Sequence, residues 1–480
     1  MTISGDNSNN SRVSKFFKDL GIYSIGVVGT RIITFMMVPL YTYFIEKADY
    51  GYYDICLTLC MMLIPVSTLQ LREGAFRFLY SNESDSGRID IVSFIYRTVC
   101  YNIVLILAIA LAINVFYDVA YLWHSALLLV MMTIHDIVAQ TTRGLHNNKV
   151  YVASSIVNVL FVGLLSVVFV AWMRLGVAGI FYANIIARVA TIVFIESRIH
   201  SVSRYFHVLR NTKGVSKDIL RYTIPLIPIS VCFYLTTCSD RLFVNNYLGF
   251  ATGGVYAVAV RFTSILQTLS LIFYQSWQET AISQYDSDDK NAFFSKVFNM
   301  YFFVLVALLI VYTFALKVNY GWLVEVNYAE SLYYIYPMGV AAIFNALSSS
   351  YFELLYQCAK DTKRATNAIF LALVINLSLN FLLISHLGVW GVILTSLTTY
   401  LFLDIYRYFD TRRYFSLSVS PSLIVPALLI ALCAVPFYLN SHIIVDLLVV
   451  IAAIAILFVA MPRSYTQHIV QGISRKFKKK

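Results

Sequence analysis

Four arginines sit inside stretches that are otherwise apolar: Arg31, Arg188, Arg241 and Arg261. An arginine at the middle of a membrane-spanning helix costs about 2.5–3.5 kcal/mol unless it meets water, protein or a counter-charge. None of the four is lysine, which suits the forked, bidentate grip of a guanidinium on phosphate oxygens. Arg72 and Arg77, beside Glu73, stand at the end of the second apolar stretch and could guard an entrance. The competing account for each is structural. Arg31 and Arg261 have no acidic neighbour one helical turn away and would need a partner on another helix. Arg188 reaches Glu196 only across two turns, and Arg241 follows Asp240 near a helix end, where snorkelling is the commoner explanation. Asp54, Asp136, His135, Asp240 and Glu353 lie in or beside the same stretches. They serve either as counter-ions to the arginines, the plainer account, or as a relay for H⁺ or Na⁺. Adjacent helix positions point about 100° apart, so His135 and Asp136 are not read as a proton-sharing dyad.

The elements that must hold these groups are membrane helices. The chain has 480 residues, 59% hydrophobic and 13% charged, with a mean hydropathy of +0.72. Soluble domains run about 45–50% apolar and about 25% charged. Fourteen apolar spans follow one another near 20–45, 50–71, 94–114, 119–140, 151–172, 177–195, 222–246, 253–279, 297–318, 331–355, 366–385, 388–406, 420–439 and 443–461. Each suffices to cross about 30 Å of hydrocarbon. A soluble enzyme, a nucleic-acid binder and a secreted disulfide scaffold are excluded. The expected fold is all-α and polytopic.

The net charge of +11 is topological rather than a sign of nucleic acid. Counted over alternate loops, twenty-nine of the thirty-six basic residues fall on one side of the spans and three on the other; four lie within spans. The positive-inside rule then places both termini in the cytoplasm. Residues 1–19 are polar, so no cleaved signal peptide is expected and span 1 acts as an uncleaved anchor. The seven cysteines are scattered without metal-ligand spacing, so neither a metal nor a disulfide framework is expected.

The spans repeat. Tyr50-Gly51-Tyr52-Tyr53-Asp54-Ile55 has a counterpart in Gly253-Gly254-Val255-Tyr256-Ala257-Val258, and Leu175-Gly176-Val177-Ala178-Gly179-Ile180 in Leu387-Gly388-Val389-Trp390-Gly391-Val392. The expected organisation is a six-helix bundle over 1–195, a basic connector over 196–221, a second bundle over 222–413, and a helix pair with a basic tail over 414–480. Two bundles of like orientation around a central cavity are a transport architecture. The outer loops are too short for a membrane polymerase, and no G-x-x-x-x-G-K-[ST] phosphate loop is present.

Val38-Pro39-Leu40-Tyr41-Thr42-Tyr43-Phe44 with Tyr50-Gly51-Tyr52-Tyr53-Asp54, and Asp240-Arg241-Leu242-Phe243 with Gly254-Val255-Tyr256, resemble Wzx-type polysaccharide repeat-unit flippases of the MOP (MATE-like) superfamily. The resemblance runs over essentially the whole chain. It implies a carrier, not an enzyme, in the bacterial inner membrane. Its cargo would be an undecaprenyl-pyrophosphate-linked oligosaccharide of an O-antigen or capsule pathway, moved from the inner to the outer leaflet. The candidate binders for such a cargo, taken from the charges within and beside the spans, are Arg31, Arg188, Arg261, Arg72 and Arg241, with Asp54, Asp136, His135, Asp240 and Glu353 as coupling groups or counter-ions. Partners would be the lipid-linked oligosaccharide, the bilayer, and polymerase and chain-length proteins, without nucleic acid. No cofactor is expected; coupling to an H⁺ or Na⁺ gradient stays open. The alternatives are a drug/cation antiporter of the same superfamily and, less favoured, a polysaccharide polymerase.

Overall fold

The computed structural model describes residues 33–82, 84–207, 211–359, 361–439 and 442–462. Every regular element among them is a helix. Thirteen helices are long and apolar enough to cross a membrane. Spans 2 to 7 are Lys47–Ser67, Asp85–Phe116, Leu122–Gly144, Asn148–Trp172, Gly176–Ile199 and Lys213–Leu248. Spans 8 to 14 are Phe250–Gln275, Lys290–Leu323, Ser331–Cys358, Lys363–Leu387, Val389–Thr411, Pro421–Tyr438 and Ile443–Ala460. The helix Ile33–Phe44 is the described part of span 1. Arg31 lies outside the described residues.

Several helices outrun the apolar windows, because a helix continues through polar turns until something stops it. Span 3 begins at Asp85, where the Ser84 hydroxyl accepts from the Gly87 amide at 3.1 Å. The structure corrects two assignments. Arg407, counted among the loop cations, lies inside span 12 and is 2% exposed. Lys317, counted with the opposite loops, lies inside span 9 and bonds Asp446 of span 14 at 2.9 Å. Its ammonium also donates to the carbonyls of Pro436 and Leu439, which fastens the last helix pair to span 9.

The chain divides into two compact units, Met1–Asn245 and Asn246–Lys480. The core of the first includes Leu71, Ala75, Leu79, Ile95, Ile137, Ile195 and Ile219. Ile219 belongs to the helix Lys213–Thr223, which gives the basic connector a regular element of its own; its apolar side packs on the short helix Leu71–Tyr80. The core of the second is aromatic. Trp277 and Tyr351 stack with centroids 6.0 Å apart, and Phe273 stacks on Tyr301 at 3.6 Å.

The repeated motif performs the same local task in both units. Gly176 and Gly388 each open a span at φ +57°, a left-handed conformation that glycine adopts without cost. Gly179 and Gly391 then let that span cross close to the preceding one. A Cβ on Gly179 would stand 3.1 Å from the Phe169 carbonyl carbon, and one on Gly391 2.5 Å from the Leu383 carbonyl oxygen. Span 10 also carries a π-helical segment, Leu347–Phe352, which widens its turn midway.

Candidate functional site

Span 2 stops where Leu69 and Gln70 take positive φ angles of 47° and 52°. Neither residue is glycine, so the kink costs energy and is held from outside: the Gln70 amide donates to the Ser230 hydroxyl of span 7. The kink turns the helix Leu71–Tyr80 so that Arg72 meets span 4. Its Nη1 lies 3.1 Å from Asp136 Oδ2, and its Nε 3.2 Å from Glu73 Oε1. His135 Nδ1 stands 3.7 Å from Asp136 Oδ1, too long for a hydrogen bond and an ion pair only when the imidazole is charged. Arg77 faces elsewhere, with its guanidinium 4.4 Å from the ring centroid of Tyr222.

Further along span 2, Asp54 is 1% exposed and receives Arg241 of span 7 at 3.4 Å. Arg241 Nη1 also donates to Thr58 Oγ1 at 3.1 Å. The outward-snorkelling account of Arg241 is thus replaced by a cross-helix ion pair. An aspartate one turn below a threonine on span 2 offers two acceptors that a single guanidinium can span. Asp240 is half-buried beside it.

Arg188 differs from these. It lies about midway along span 6 and is half-buried, and among the described residues no carboxylate comes within ion-pair distance. Its Nη1 donates to the carbonyl and side-chain oxygens of Asn184, one turn back, at 2.8 and 3.1 Å. Asn184 is itself held, donating to the Tyr53 hydroxyl at 3.2 Å and to the Ile180 carbonyl at 3.0 Å. Tyr53 packs edge-on against Phe181, 5.2 Å between centroids. Glu196, the partner considered from sequence, instead accepts from the amides of Val202 and Ser203 at 3.0 and 3.2 Å. Neutral acceptors fix the orientation of Arg188 and leave its charge uncompensated, while Asp136 and Tyr53 lie within electrostatic reach.

The remaining candidates belong to the second unit. Arg261 is half-buried in span 8. Glu353, at the end of the π-helical segment, accepts from Arg407 Nη2 at 2.6 Å. The structure therefore groups Arg72, Asp136, His135, Arg188, Asp54 and Arg241 within one unit, and sets Arg261 and Glu353 in the other. Sequence reasoning missed Tyr53, Thr58 and Asn184 as the residues that orient the arginines. The spacing of Asn184 and Arg188, four residues apart on a helix, was the available signal. Arg407 escaped because it lay one residue beyond an apolar window.

The polysaccharide biosynthesis protein family matches residues 16–277. No curated protein matches the sequence. Among solved structures the chain is similar to the lipid II flippase MurJ in an inward closed conformation, with a TM-score of 0.69, 16% identity, and coverage of 93% of this chain and 99% of that one. It is also similar to an outward-facing multidrug resistance MATE family transporter of the MOP superfamily, with a TM-score of 0.53, 12% identity, and coverage of 83% and 98%. A MATE transporter from Vibrio cholerae gives a TM-score of 0.53 at 13% identity, covering 85% and 98%. At these identities the likeness is one of fold.

Proposed function

The chain belongs to the polysaccharide biosynthesis protein family, and from that premise we propose that it is a flippase for undecaprenyl-pyrophosphate-linked oligosaccharide repeat units. It works by alternating access and moves its cargo from the inner to the outer leaflet of the bacterial cytoplasmic membrane. The observation that carries the proposal is Arg188. A guanidinium near the middle of a span, oriented by Asn184 and without a carboxylate partner among the described residues, is a standing site for an anion. Hydrocarbon solvates none of the oxygens of a pyrophosphate, so a passing diphosphate needs such a group at depth. Arg72 and Arg241 reach the same cargo only by exchanging a carboxylate for a phosphate, which makes their pairs with Asp136 and Asp54 reversible holds along the route. MurJ, which has a similar fold, is a flippase of lipid II, and that likeness supports a lipid-linked cargo.

The test is translocation of a fluorescent polyprenyl-pyrophosphate oligosaccharide in proteoliposomes. Arg188→Ala is expected to lower the initial rate at least about tenfold, as removal of a charged hydrogen-bonding partner does. Arg188→Lys, which restores the charge without the fork, is expected to recover only part. Normal rates in Arg188→Ala protein that inserts and folds would reject Arg188 as the anion site. Uptake of organic cations, with no movement of the lipid-linked sugar, would replace the flippase by an antiporter.

A further inference from the structure

Asp404, on span 12, has a setting that the substrate route does not use. It is 7% exposed, and both of its carboxyl oxygens are buried without a hydrogen-bond partner. It lines a cavity of about 370 Å³ within the second unit, whose other walls include Phe298, Phe302, Phe344, Phe352 and Phe409. One turn along span 12, Arg407 Nη2 donates to Glu353 Oε2 at 2.6 Å and Nη1 to the Ser348 carbonyl at 2.7 Å. Both acceptors lie on span 10, at or beside the π-helical segment Leu347–Phe352. The Nε of Arg407 is buried and has no acceptor. A guanidinium thus spans two helices with one donor to spare, three residues from a carboxyl group with two bare oxygens.

We propose that Asp404 is a proton-binding site whose occupancy is read by Arg407. As the neutral acid, Asp404 forgoes hydrogen bonds but no charge is stranded, and the Arg407–Glu353 pair balances itself. When Asp404 gives its proton to water, a carboxylate stands bare in apolar surroundings, where an unpaired charge is far costlier than an unpaired acid. Arg407 is the cation within reach. Turning toward Asp404, it leaves Glu353 and the Ser348 carbonyl, and the hold between spans 10 and 12 at the π-helical segment is released. The proton has about 10 Å of helix to travel from Asp404 to the end of span 12 at Thr411.

The surroundings favour a proton over a metal cation. Besides the two oxygens of Asp404, the neighbouring unbonded oxygen is the Ser348 hydroxyl, and the cavity wall is otherwise aromatic or aliphatic apart from the Tyr408 hydroxyl. No group of three or more metal-ligating side chains occurs among the described residues. The charged groups that bear on Asp404 are therefore Arg407 on its own helix and Glu353 on span 10. Span 9 and the segment after span 12 contribute Phe298, Phe302, Val419 and Leu423, and Arg364 of span 11 is engaged by Asp361 and Asp410. The site stands whether or not the cargo is the one proposed above.

Hydrogen exchange of the full-length protein in nanodiscs tests it. Exchange of the Leu347–Phe352 amides, corrected for the intrinsic rate, is expected to rise about tenfold per pH unit below the transition, the slope for release of one proton, and to level off above it. Asp404→Asn and Asp404→Leu should each abolish that slope. In infrared spectra of protein labelled with ¹³C-aspartate, a protonated carboxyl band should be present in the parent and absent from both variants. Exchange with the same slope in either variant would overturn the proposal, as would a carboxyl band that survives both substitutions. So would a change in exchange on replacing Na⁺ by K⁺ at fixed pH, since that assigns the site to a metal cation.

Discussion

At the scale of single residues, the arginines divide by what neutralises them. Arg241 has Asp54, Arg72 has Asp136 and Glu73, and Arg407 has Glu353. Arg188 has neutral oxygens and an orienting asparagine. A buried ion pair adds little net stability compared with apolar residues of the same volume, yet removing one partner strands the other at about 3–5 kcal/mol. Arg241→Ala is therefore expected to lower stability by several kcal/mol, because Asp54, 1% exposed, loses its arginine. The double variant Asp54→Asn, Arg241→Gln should recover most of that loss. Thermal unfolding in detergent measures both. A double variant no more stable than Arg241→Ala would assign the Asp54 carboxylate a further structural bond. That Arg188, Arg241 and Arg261 lie within spans could be read from their positions in apolar stretches, but which arginines were paired could not. Asp54 and Arg241 are 187 residues apart, and Arg72 and Asp136 64 apart. Pairing at such separations depends on which helices lie side by side, and helix periodicity carries no information on that.

At the scale of elements, the helix boundaries show where apolarity and helix formation part company. An apolar window marks where a segment is stable in lipid; the helix itself ends at a cap, a positive φ or a proline. Arg407 fell in that margin. The two glycine hairpins show the opposite case, where a short motif specifies the geometry closely. Glycine at the span start permits φ +57°, and glycine three residues later admits the neighbouring backbone. Gly391→Ala is expected to cost about 1–3 kcal/mol, as overpacking in a well-filled core does. Gly179→Ala should cost less, because its closest approach is 3.1 Å rather than 2.5 Å. Unfolding temperatures of the two variants in the same detergent give the order; the reverse order would mean that the second hairpin relaxes more readily than the first.

At the scale of the whole molecule, the fourteen spans expected from the sequence would put both termini on one side, and the excess of basic residues in alternate loops makes the cytoplasm the side we propose. Reporter fusions at the two ends are expected to be active only in cytoplasmic form, and a fusion in the loop near residues 324–330 only in the exported form. Opposite behaviour of the two termini would mean that one span does not cross. The class of the protein, its span count to within the undescribed N-terminal segment and the family resemblance were all present in the chain as written. They depend on hydropathy and on local backbone needs, and both act over a few turns of helix. The division of labour among the charges was settled by packing. Arg188 is left uncompensated, Arg241 and Arg72 are bound to carboxylates, and Asp404 is sealed beside Arg407 by the helices that surround them. In a low-dielectric interior a charge is governed by its nearest neighbours across helices, and those neighbours are brought together only when the chain folds.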